Sequence, residues 1–331
     1  MALNVGLIGL KGHQGTITGG MKLIEGARMA AVCDDDESKL AGVPGYPGAD
    51  ENTRTFTDPM KLLDEVDLDI AGVCGHDGER APIIIECAKR GIHVIAEKPL
   101  AMTLEELAQV REAVTDAGTH LSMLLTMRFE PAYLTMQRMV AEGAVGEVCL
   151  ATMQKSYRLG ERPQWQRDRA TFSGIIPFIG IHALDLIRWC TGREFVQGAA
   201  YCDNTGHPEL RDMEDNASVI VKLDNGGSAS ARMDYCRPAA APTHGDDRLR
   251  IAGNAGVLES KDHGERVVYI HPEAGESEVE LEAKRDQFVD FVGSIRGENL
   301  SWVPAEDCFR MTEITLKLRG SAETGQTVDL T

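Results

Sequence analysis

Apolar runs alternate with helical segments over residues 5–125, and this alternation leaves few folds open to the chain. Between the runs lie capping residues, amphipathic stripes and terminal glycines, which are the signals of helices. Strands that are buried on both faces and joined by helices are typical of a doubly wound parallel sheet. The sequence predicts such a sheet from runs at residues 5–10, 29–33, 68–73, 92–96 and 121–125.

The pattern changes after about Gly143, where apolar and polar residues alternate singly, as in strands with one buried face. Asp224–Gly227 is a hairpin signal, and a helix is predicted from Pro304 to about Leu318. At 331 residues the chain exceeds the roughly 250–300 residues at which a single core stops growing. We therefore predict an α/β chain of two domains, 1–122 and 123–331, the second with a large, mostly antiparallel open sheet. Its predicted strands lie at residues 148–153, 217–223, 227–233, 249–252 and 266–270.

Charge and composition argue against several classes of function. The chain has 34 Lys and Arg against 52 Asp and Glu, and a net charge of −18 repels the phosphates of nucleic acids. No apolar run reaches the roughly 18 residues of a membrane span, and the start lacks the basic segment of a signal peptide. The eight cysteines form no CxxC pair, which favours reduced thiols in a cytoplasmic protein. A small molecule is the expected partner.

A glycine-rich turn separates the first predicted strand from the first helix, and it reads Gly9-Leu-Lys-Gly12-His13-Gln14-Gly15. In a dinucleotide fingerprint the glycines permit a tight turn, close approach of the pyrophosphate and close packing of helix on strand. Gly12 and Gly15 keep the last two positions of G-x-G-x-x-G, whereas Gly9 lies one residue before the first. We predict that these glycines, with His13 and Gln14, bind a dinucleotide. A turn without a ligand is the alternative.

Asp34 ends the second predicted strand, 22 residues after Gly12. A ribose-binding carboxylate is expected about 20 residues beyond the fingerprint. It accepts hydrogen bonds from the ribose hydroxyls and repels a 2′-phosphate, and the neighbouring Asp35 and Asp36 increase that repulsion. The sequence therefore predicts NAD in preference to NADP. A solvated turn residue is the other interpretation of Asp34.

The fourth predicted strand ends in Ala96-Glu97-Lys98-Pro99. The carboxyl end of a parallel strand lies at the edge where ligands bind, and the proline keeps Lys98 out of a helical conformation. A lysine there can hydrogen-bond the substrate oxygen whose proton moves during hydride transfer. We predict that Glu97 and Lys98 contact the cofactor and that Lys98 is catalytic. An ordinary surface lysine is the alternative.

His182 and Asp185 lie three residues apart on a helix that is predicted to end before Gly192. Residues at this spacing share a helix face. A neutral histidine that a carboxylate orients is suited to take the proton of an alcohol. Both residues are therefore predicted to be catalytic, with His182 also contacting the substrate. A core histidine beside a capping Asp is the alternative.

A basic and aromatic stretch, unusual in so acidic a chain, follows the first predicted strand of the second domain. Cations bind carboxylates, and aromatic rings stack on the C–H faces of sugars, so an acidic or heavily hydroxylated ring is the expected ligand. A solvated loop or a subunit interface is the alternative, and residues 244–248 are weaker candidates for the same site. No HExxH or paired CxxC occurs, so no metal site is predicted. The predicted substrate contacts are Tyr157, Arg158, Arg162 and Trp165.

Seven motifs occur in order along the chain: the glycine turn, Val32–Asp34, Gly91–Pro99, Met127–Pro131, Gly143–Glu147, Gly180–Asp185 and Ser321–Gly325. Glu-Lys-Pro after a His-Val strand is the most specific of them, and the ordered set is stronger than any member. Together they resemble the Gfo/Idh/MocA oxidoreductases, which include inositol dehydrogenases and glucose–fructose oxidoreductase. The resemblance covers essentially the whole chain.

The resemblance implies an NAD-binding Rossmann domain and a substrate-binding α/β domain whose open sheet supports homodimers or homotetramers. It implies hydride transfer between nicotinamide and a secondary hydroxyl of a sugar, sugar acid or cyclitol. Lys98 matches the family's catalytic lysine, and His182 matches its proton-transfer histidine. Arg128, in the Met127–Pro131 motif, is a further candidate substrate contact.

Two positions depart from the family pattern. Many family dehydrogenases carry Asp four residues before the histidine, where this chain has Phe178. The usual Thr-Pro-Asn-x-x-His after the third strand becomes Gly75–Arg80, in which Asp77 remains a candidate contact to the nicotinamide ribose. Three activities stay open: an NAD-dependent dehydrogenase, a non-redox enzyme that oxidises its substrate transiently with tightly bound NAD, and an NAD-binding sensor. The dehydrogenase leads, and the retained Lys98 argues against a sensor.

Overall fold

The computed structural model describes residues 3–210 and 212–331. The chain forms two compact units. The first unit runs to Thr126 and takes in Asp286–Thr312, and the second comprises Met127–Arg285 and Glu313–Thr331. The two-domain prediction placed a single boundary after residue 122 and did not include the return of residues 286–312 to the first unit.

The first unit contains a parallel sheet flanked by helices. In the described residues the strand order is β3-β2-β1-β4-β5-β6, with every neighbouring pair parallel. This confirms the doubly wound sheet. The strands are β1 (Leu3–Ile8), β2 (Ala27–Cys33), β3 (Arg54–Phe56), β4 (Ile70–Val73), β5 (His93–Ala96) and β6 (Leu121–Met123), and the helices are α1 (Gln14–Met21), α2 (Glu37–Leu40), α3 (Pro59–Glu65), α4 (Asp77–Lys89) and α5 (Leu104–Ala117).

Capping residues mark the start of α3 and both ends of α5. The Asp58 carboxylate accepts the backbone N–H of Met60 at 2.8 Å, and proline fills the first position of α3. The Thr103 hydroxyl accepts the N–H of Glu106 at 3.1 Å, which is the capping box expected for α5. Gly118 then ends α5 with a φ of 63°.

The second unit is built on a sheet in which the described residues form nine strands, in the order β14-β13-β12-β11-β7-β10-β9-β8-β15. Among the described strands of this sheet only β7 and β10 pair in parallel, so the predicted mostly antiparallel sheet is confirmed. None of the described helices is long and apolar enough to cross a membrane. The remaining elements, in chain order, are α6 (Pro131–Ala141), β7 (Val148–Arg158), α7 (Ile181–Thr191), β8 (Phe195–Asp203), β9 (Asn216–Leu223), β10 (Ser228–Arg237), β11 (Gly245–Gly253), β12 (Gly256–Lys261), β13 (Arg266–His271), β14 (Gly275–Val279), α8 (Gln287–Ile295), α9 (Ala305–Thr324) and β15 (Val328–Asp329).

One face of this sheet is covered by helices and the other is open. Along β9 every second residue, from Ala217 to Leu223, is buried, and the residues between them are exposed. Helix α7 packs on β7 and β10, and α6 packs on β12 and β13. The alternation that predicted these strands therefore also marks which side chains face the helices.

Candidate active site

The glycine turn has the backbone geometry that a dinucleotide fingerprint requires. Gly9 and Gly12 have φ angles of +85° and +67°, which favour glycine. A Cβ at Gly9 would collide with the backbone of Cys74 and Gly75, and one at Gly12 would collide with the Glu97 carboxylate. A Cβ at Gly15 would meet nothing within 4 Å, so open space remains at the start of α1. A pyrophosphate fits in that space, beside the N–H groups at the helix N-terminus.

Glu97 lies beneath the glycine turn and holds it. Its carboxylate accepts the backbone N–H of His13, and it lies 2.7 Å from Nδ1 of the His13 ring. Burial raises the pKa of the Glu97 carboxyl, but His13, Lys98 and Arg80 outweigh burial and hold that pKa well below its usual value. Glu97 is therefore an ionised carboxylate that links the end of β5 to the turn. Its predicted contact to the cofactor stays a prediction.

Asp34 is buried at the end of β2, and both of its carboxylate oxygens have protein partners. The backbone N–H groups of Leu10 and Asp36 donate to it at 2.7 and 3.0 Å. The ammonium groups of Lys39 and Lys11 lie 3.1 and 4.0 Å from it. A carboxylate offers about four acceptor positions, and Leu10, Asp36 and Lys39 use three of them, so one position remains for a ribose hydroxyl.

A cavity of about 340 Å³ lies beyond the carboxyl ends of β1 and β2. Asp34 and Lys11 contribute its polar wall, and Met60, Pro82 and Ile83 contribute apolar surface. An adenosine combines an apolar base with ribose hydroxyls, so this lining fits that half of a dinucleotide.

The Lys98 turn is held in place by a buried ion pair on α4. Arg80 is 1% exposed, and its guanidinium donates to the carbonyl of Pro99 at 2.6 Å and to Asp77 at 2.6 Å. A second donation reaches the carbonyl of Gly75 at 3.3 Å. Lys98 itself is 4% exposed, so a surface lysine is the wrong interpretation. The ribose contact predicted for Asp77 stays a prediction.

His182 and Asp185 lie on α7 as expected, and both are buried. The Asp185 carboxylate binds Arg128 through two hydrogen bonds, from Nε at 2.9 Å and from a terminal nitrogen at 2.5 Å. Arg128 is fully buried, and its guanidinium lies 5.6 Å from the ring centroid of Trp189. These contacts give Arg128 and Asp185 a structural role in the second unit. Their predicted roles in substrate binding and in orienting His182 stay predictions.

Phe178 belongs to an aromatic cluster where the family pattern has an acid. It lies on a π-helical turn, Ile176–Gly180, that leads into α7. Its ring centroid is 5.8 Å from that of Trp165 and 5.2 Å from that of Phe172. The ring of Trp165 packs against this cluster. The substrate contact predicted for Trp165 stays a prediction.

Lys155, Tyr157 and Arg158 lie within β7, which continues five residues beyond the predicted end at residue 153. The fully buried Lys155 lies 2.7 Å from an oxygen of Asp247 on β11. Burial lowers the pKa of the Lys155 ammonium, but Tyr157 and Asp247 outweigh burial and raise that pKa overall. His244 stacks on the Tyr157 ring at 5.3 Å. The weaker candidates at 244–248 thus include residues that adjoin Tyr157.

Sequence reasoning missed several functional candidates that the fold brings together. Arg80 was given no role, although its spacing of three from Asp77 on α4 permits an ion pair. Lys11 and Lys39 gave no signal, because their proximity to Asp34 depends on the turn geometry. No group of three or more His, Cys, Asp or Glu side chains that could hold a metal ion occurs among the described residues.

Two family profiles match the chain. Residues 3–124 match the oxidoreductase family with an NAD-binding Rossmann fold, and residues 133–259 match the GFO/IDH/MocA C-terminal domain. The chain belongs to the Gfo/Idh/MocA oxidoreductase family. This confirms the resemblance that the ordered motifs indicated.

The similar proteins include inositol dehydrogenases. Inositol 2-dehydrogenase 2 of Saccharopolyspora erythraea is 32% identical over 231 residues, which are 68% of this chain and 65% of that protein. The match thus spans slightly less than two thirds of the relative. Myo-inositol 2-dehydrogenase of Thermotoga maritima is 25% identical over 319 residues, 92% of each chain. A solved oxidoreductase from Thermotoga maritima is 34% identical with a TM-score of 0.93, covering 99% of this chain and 100% of its own.

Proposed function

We propose that this chain is an NAD-dependent dehydrogenase or reductase that acts on a secondary hydroxyl of a sugar, sugar acid or cyclitol. The observation that carries the proposal is the Lys98 turn. It presents a buried lysine at the carboxyl edge of an NAD-binding sheet, and Arg80 and Glu97 fix the turn from either side. The names of the inositol dehydrogenase relatives support the substrate class.

The proposed mechanism divides proton handling between two residues. When bound by the glycine turn and Asp34, NAD would supply the acceptor for the hydride of the substrate carbon. The Lys98 ammonium donates a hydrogen bond to the substrate oxygen and stabilises the negative charge that develops there. His182 accepts the hydroxyl proton, so the alcohol becomes a ketone with both hydrogens accounted for.

Asp34 favours NAD over NADP in this proposal. Its carboxylate accepts from a ribose hydroxyl and repels a 2′-phosphate. The adjacent Asp35 lies on the same cavity and strengthens that repulsion, although Lys11 neutralises part of it at 2.7 Å.

Phe178 favours a second candidate, a non-redox enzyme that keeps NAD bound and returns the hydride to its substrate. The acid of the usual proton relay is replaced by a ring in an aromatic cluster, so proton transfer to solvent has lost one carrier. A reaction that ends without net oxidation needs less of that transfer. The retained Lys98 serves either chemistry.

The open face of the second unit's sheet supports an even-numbered homo-oligomer. Leu150, Ile220 and Tyr201 lie on this face and are 40%, 58% and 71% exposed. Large apolar side chains that share one exposed face mark an interaction surface. Ile220→Lys is expected to shift the mass in analytical ultracentrifugation to that of the monomer; an unchanged mass would contradict this interface.

We also propose a cytoplasmic location, which the eight free cysteines support.

One assay separates the candidate functions. The purified protein is mixed with excess NAD and a panel of sugars, sugar acids and cyclitols, and both reduced-nicotinamide absorbance and products are followed. Growth of the absorbance with a ketone product supports the dehydrogenase. Product formation without that growth supports the recycled-cofactor enzyme, and NAD binding without any product leaves the sensor.

A further inference from the structure

A polar cluster lies on the helix-covered face of the second unit's sheet, and Tyr157 and Tyr235 stand at its centre. The register of β7 and β10 pairs residue 156 with 234 and residue 158 with 236, so the two tyrosines are neighbours. The Arg162 guanidinium lies over the Tyr235 ring, 4.2 Å from its centroid. We call Tyr157, Arg162 and Tyr235 the Arg162 cluster.

Arg162 carries a half-buried charge that no carboxylate of the described residues neutralises. Its guanidinium donates to the carbonyl of Arg158 at 3.2 Å and to Gln166 at 3.4 Å. Burial lowers the pKa of Arg162, and Tyr235 offsets only part of that shift. By contrast, the buried Arg80 and Arg128 each bind a carboxylate. Since the chain neutralises the buried guanidinium groups of Arg80 and Arg128 with carboxylates, the half-buried Arg162 is an exception that an external anion would remove.

Two buried atoms at the cluster lack hydrogen-bond partners within the described residues. They are Nε of Arg162 and Oδ1 of Asp247, whose other oxygen binds Lys155. Leaving a buried donor or acceptor unpaired is costly, especially on a charged group. A ligand with a carboxylate and a hydroxyl supplies the missing partners, because the carboxylate accepts from guanidinium N–H groups and the hydroxyl donates to Asp247.

The cluster is tied to the segment that carries His182. Helix α7 packs on β7 and β10, the two strands that hold the tyrosines. Trp165, three residues after Arg162, packs against Phe178, which lies four residues before His182. Arg162 is therefore held at a set position relative to the candidate proton acceptor within the same unit.

We propose that Arg162 binds the carboxylate of the substrate, so the substrate is a sugar acid or a related polyhydroxy acid. The guanidinium fork matches a planar carboxylate, and the tyrosine rings give the carbon skeleton an apolar wall. A neutral cyclitol leaves the charge of Arg162 unmatched. This inference rests on the proposed dehydrogenase function and narrows its substrate class.

The test compares acids with their neutral counterparts. D-glucuronate and D-galacturonate are assayed with NAD against D-glucose, D-galactose and myo-inositol, for the wild type and for Arg162→Gln. We expect kcat/KM to be higher for an acid than for its neutral partner. Arg162→Gln should lower kcat/KM for the acid roughly 30-fold or more, since truncating one partner of a buried charge pair has effects of that size. For the neutral partner we expect a change below about threefold.

Arg266→Gln is the matched control, because Arg266 is an exposed arginine of the same unit that forms surface ion pairs. Arg266→Gln should leave kcat/KM for the acid and kcat/KM for its neutral partner unchanged. Equal use of acid and neutral sugar, or an equal loss on both in Arg162→Gln, overturns the carboxylate subsite and leaves the dehydrogenase intact. If nothing in the panel reduces NAD, the dehydrogenase proposal fails, and calorimetry of D-glucuronate with NAD-loaded protein decides the inference. If D-glucuronate binds, and Arg162→Gln weakens that binding while Arg266→Gln does not, the carboxylate subsite is supported. If the wild type does not bind D-glucuronate, the carboxylate subsite is overturned.

Discussion

At the scale of single residues, the sequence predicted which residues belong to the candidate site, and the structure adds the neighbours that hold them in place. Asp34 was chosen for its spacing from Gly12, yet the structure adds two backbone donors and two lysines around its carboxylate. Lys98 was chosen for its place after a strand, and the structure adds Arg80 on α4, which holds the carbonyl of the next residue, Pro99. Residue types and spacings identify candidates because catalytic chemistry uses few groups. They cannot supply partners that only the fold brings close.

Lys98→Met tests the catalytic lysine, because Met keeps the side-chain length without the charge. We expect kcat to fall by roughly 10²–10⁴-fold, the usual size of a positioned proton-handling group. Calorimetry of NAD binding measures the predicted contact of Lys98 to the cofactor separately, and we expect the loss in kcat to exceed the loss in NAD affinity. Lys89→Met, which changes an exposed lysine on α4, serves as the control. Wild-type turnover in Lys98→Met would remove this residue from the mechanism.

Asp34→Asn tests cofactor choice. The amide keeps the shape and one acceptor for the backbone donors but loses the charge that repels a 2′-phosphate. Lys11 and Lys39 then remain beside the ribose position and attract that phosphate. The ratio of kcat/KM for NADP to that for NAD should rise at least about tenfold. The repulsion between two negative charges a few ångströms apart near a protein surface is worth at least about 1.4 kcal/mol, and the amide removes it. An unchanged ratio would show that Asp34 does not contact the ribose.

At the scale of elements, hydrophobic periodicity predicted many of the buried strands and helices but missed others, among them β8, β12 and α6. The strand β3 escaped prediction because it is a short, exposed edge strand without an apolar run. The last five residues of β7 escaped because they are polar, although Lys155 points to the buried face and is neutralised there. Both failures have one cause: hydrophobic periodicity reports burial, and it is silent where strands carry ion pairs or lie at an edge.

Removing Arg80 should destabilise the Lys98 turn. Arg80→Met leaves Asp77 buried without its cation, and such a change costs about 3–5 kcal/mol of the free energy of unfolding. Asp77→Asn/Arg80→Met removes both charges, so we expect a coupling of about 0.5–3 kcal/mol relative to the sum of the single changes. Urea denaturation followed by circular dichroism measures both quantities. Arg90→Met, in the exposed pair with Asp64, should cost less than about 1 kcal/mol; additivity at Asp77 and Arg80 would contradict the account.

The link between Glu97 and the glycine turn should weaken in acid. The pKa of Glu97 in the folded state lies below that of an unfolded glutamate. Its ionised form therefore stabilises the fold at neutral pH, and this contribution is lost as the pH falls below about 4.3. Glu97→Gln should lower Tm at pH 7 and lower it less at pH 3.5. Glu51→Gln, at an exposed position, is the control; a Tm difference for Glu97→Gln that is constant with pH would contradict this role.

At the scale of the whole molecule, the two units were predictable and the path of the chain between them was not. The helix α8 returns to the first unit because Phe288, Phe291 and Val292 join its core. The amphipathic pattern of α8 predicts a buried face, but the sequence does not say which core receives it. The ordered motifs identified the family because they extend over both units, and the two matching profiles do the same.

The central claim is that the substrate's own C–H hydrogen ends on the nicotinamide with net turnover. The most direct measurement uses a substrate that is deuterated at its carbinol carbons, with mass spectrometry of the nucleotide after a single turnover. The account predicts monodeuterated reduced cofactor in an amount equal to the ketone formed, together with a slower rate than for the unlabelled substrate. Deuterium that stays in the product, with the cofactor unlabelled and oxidised, would contradict it.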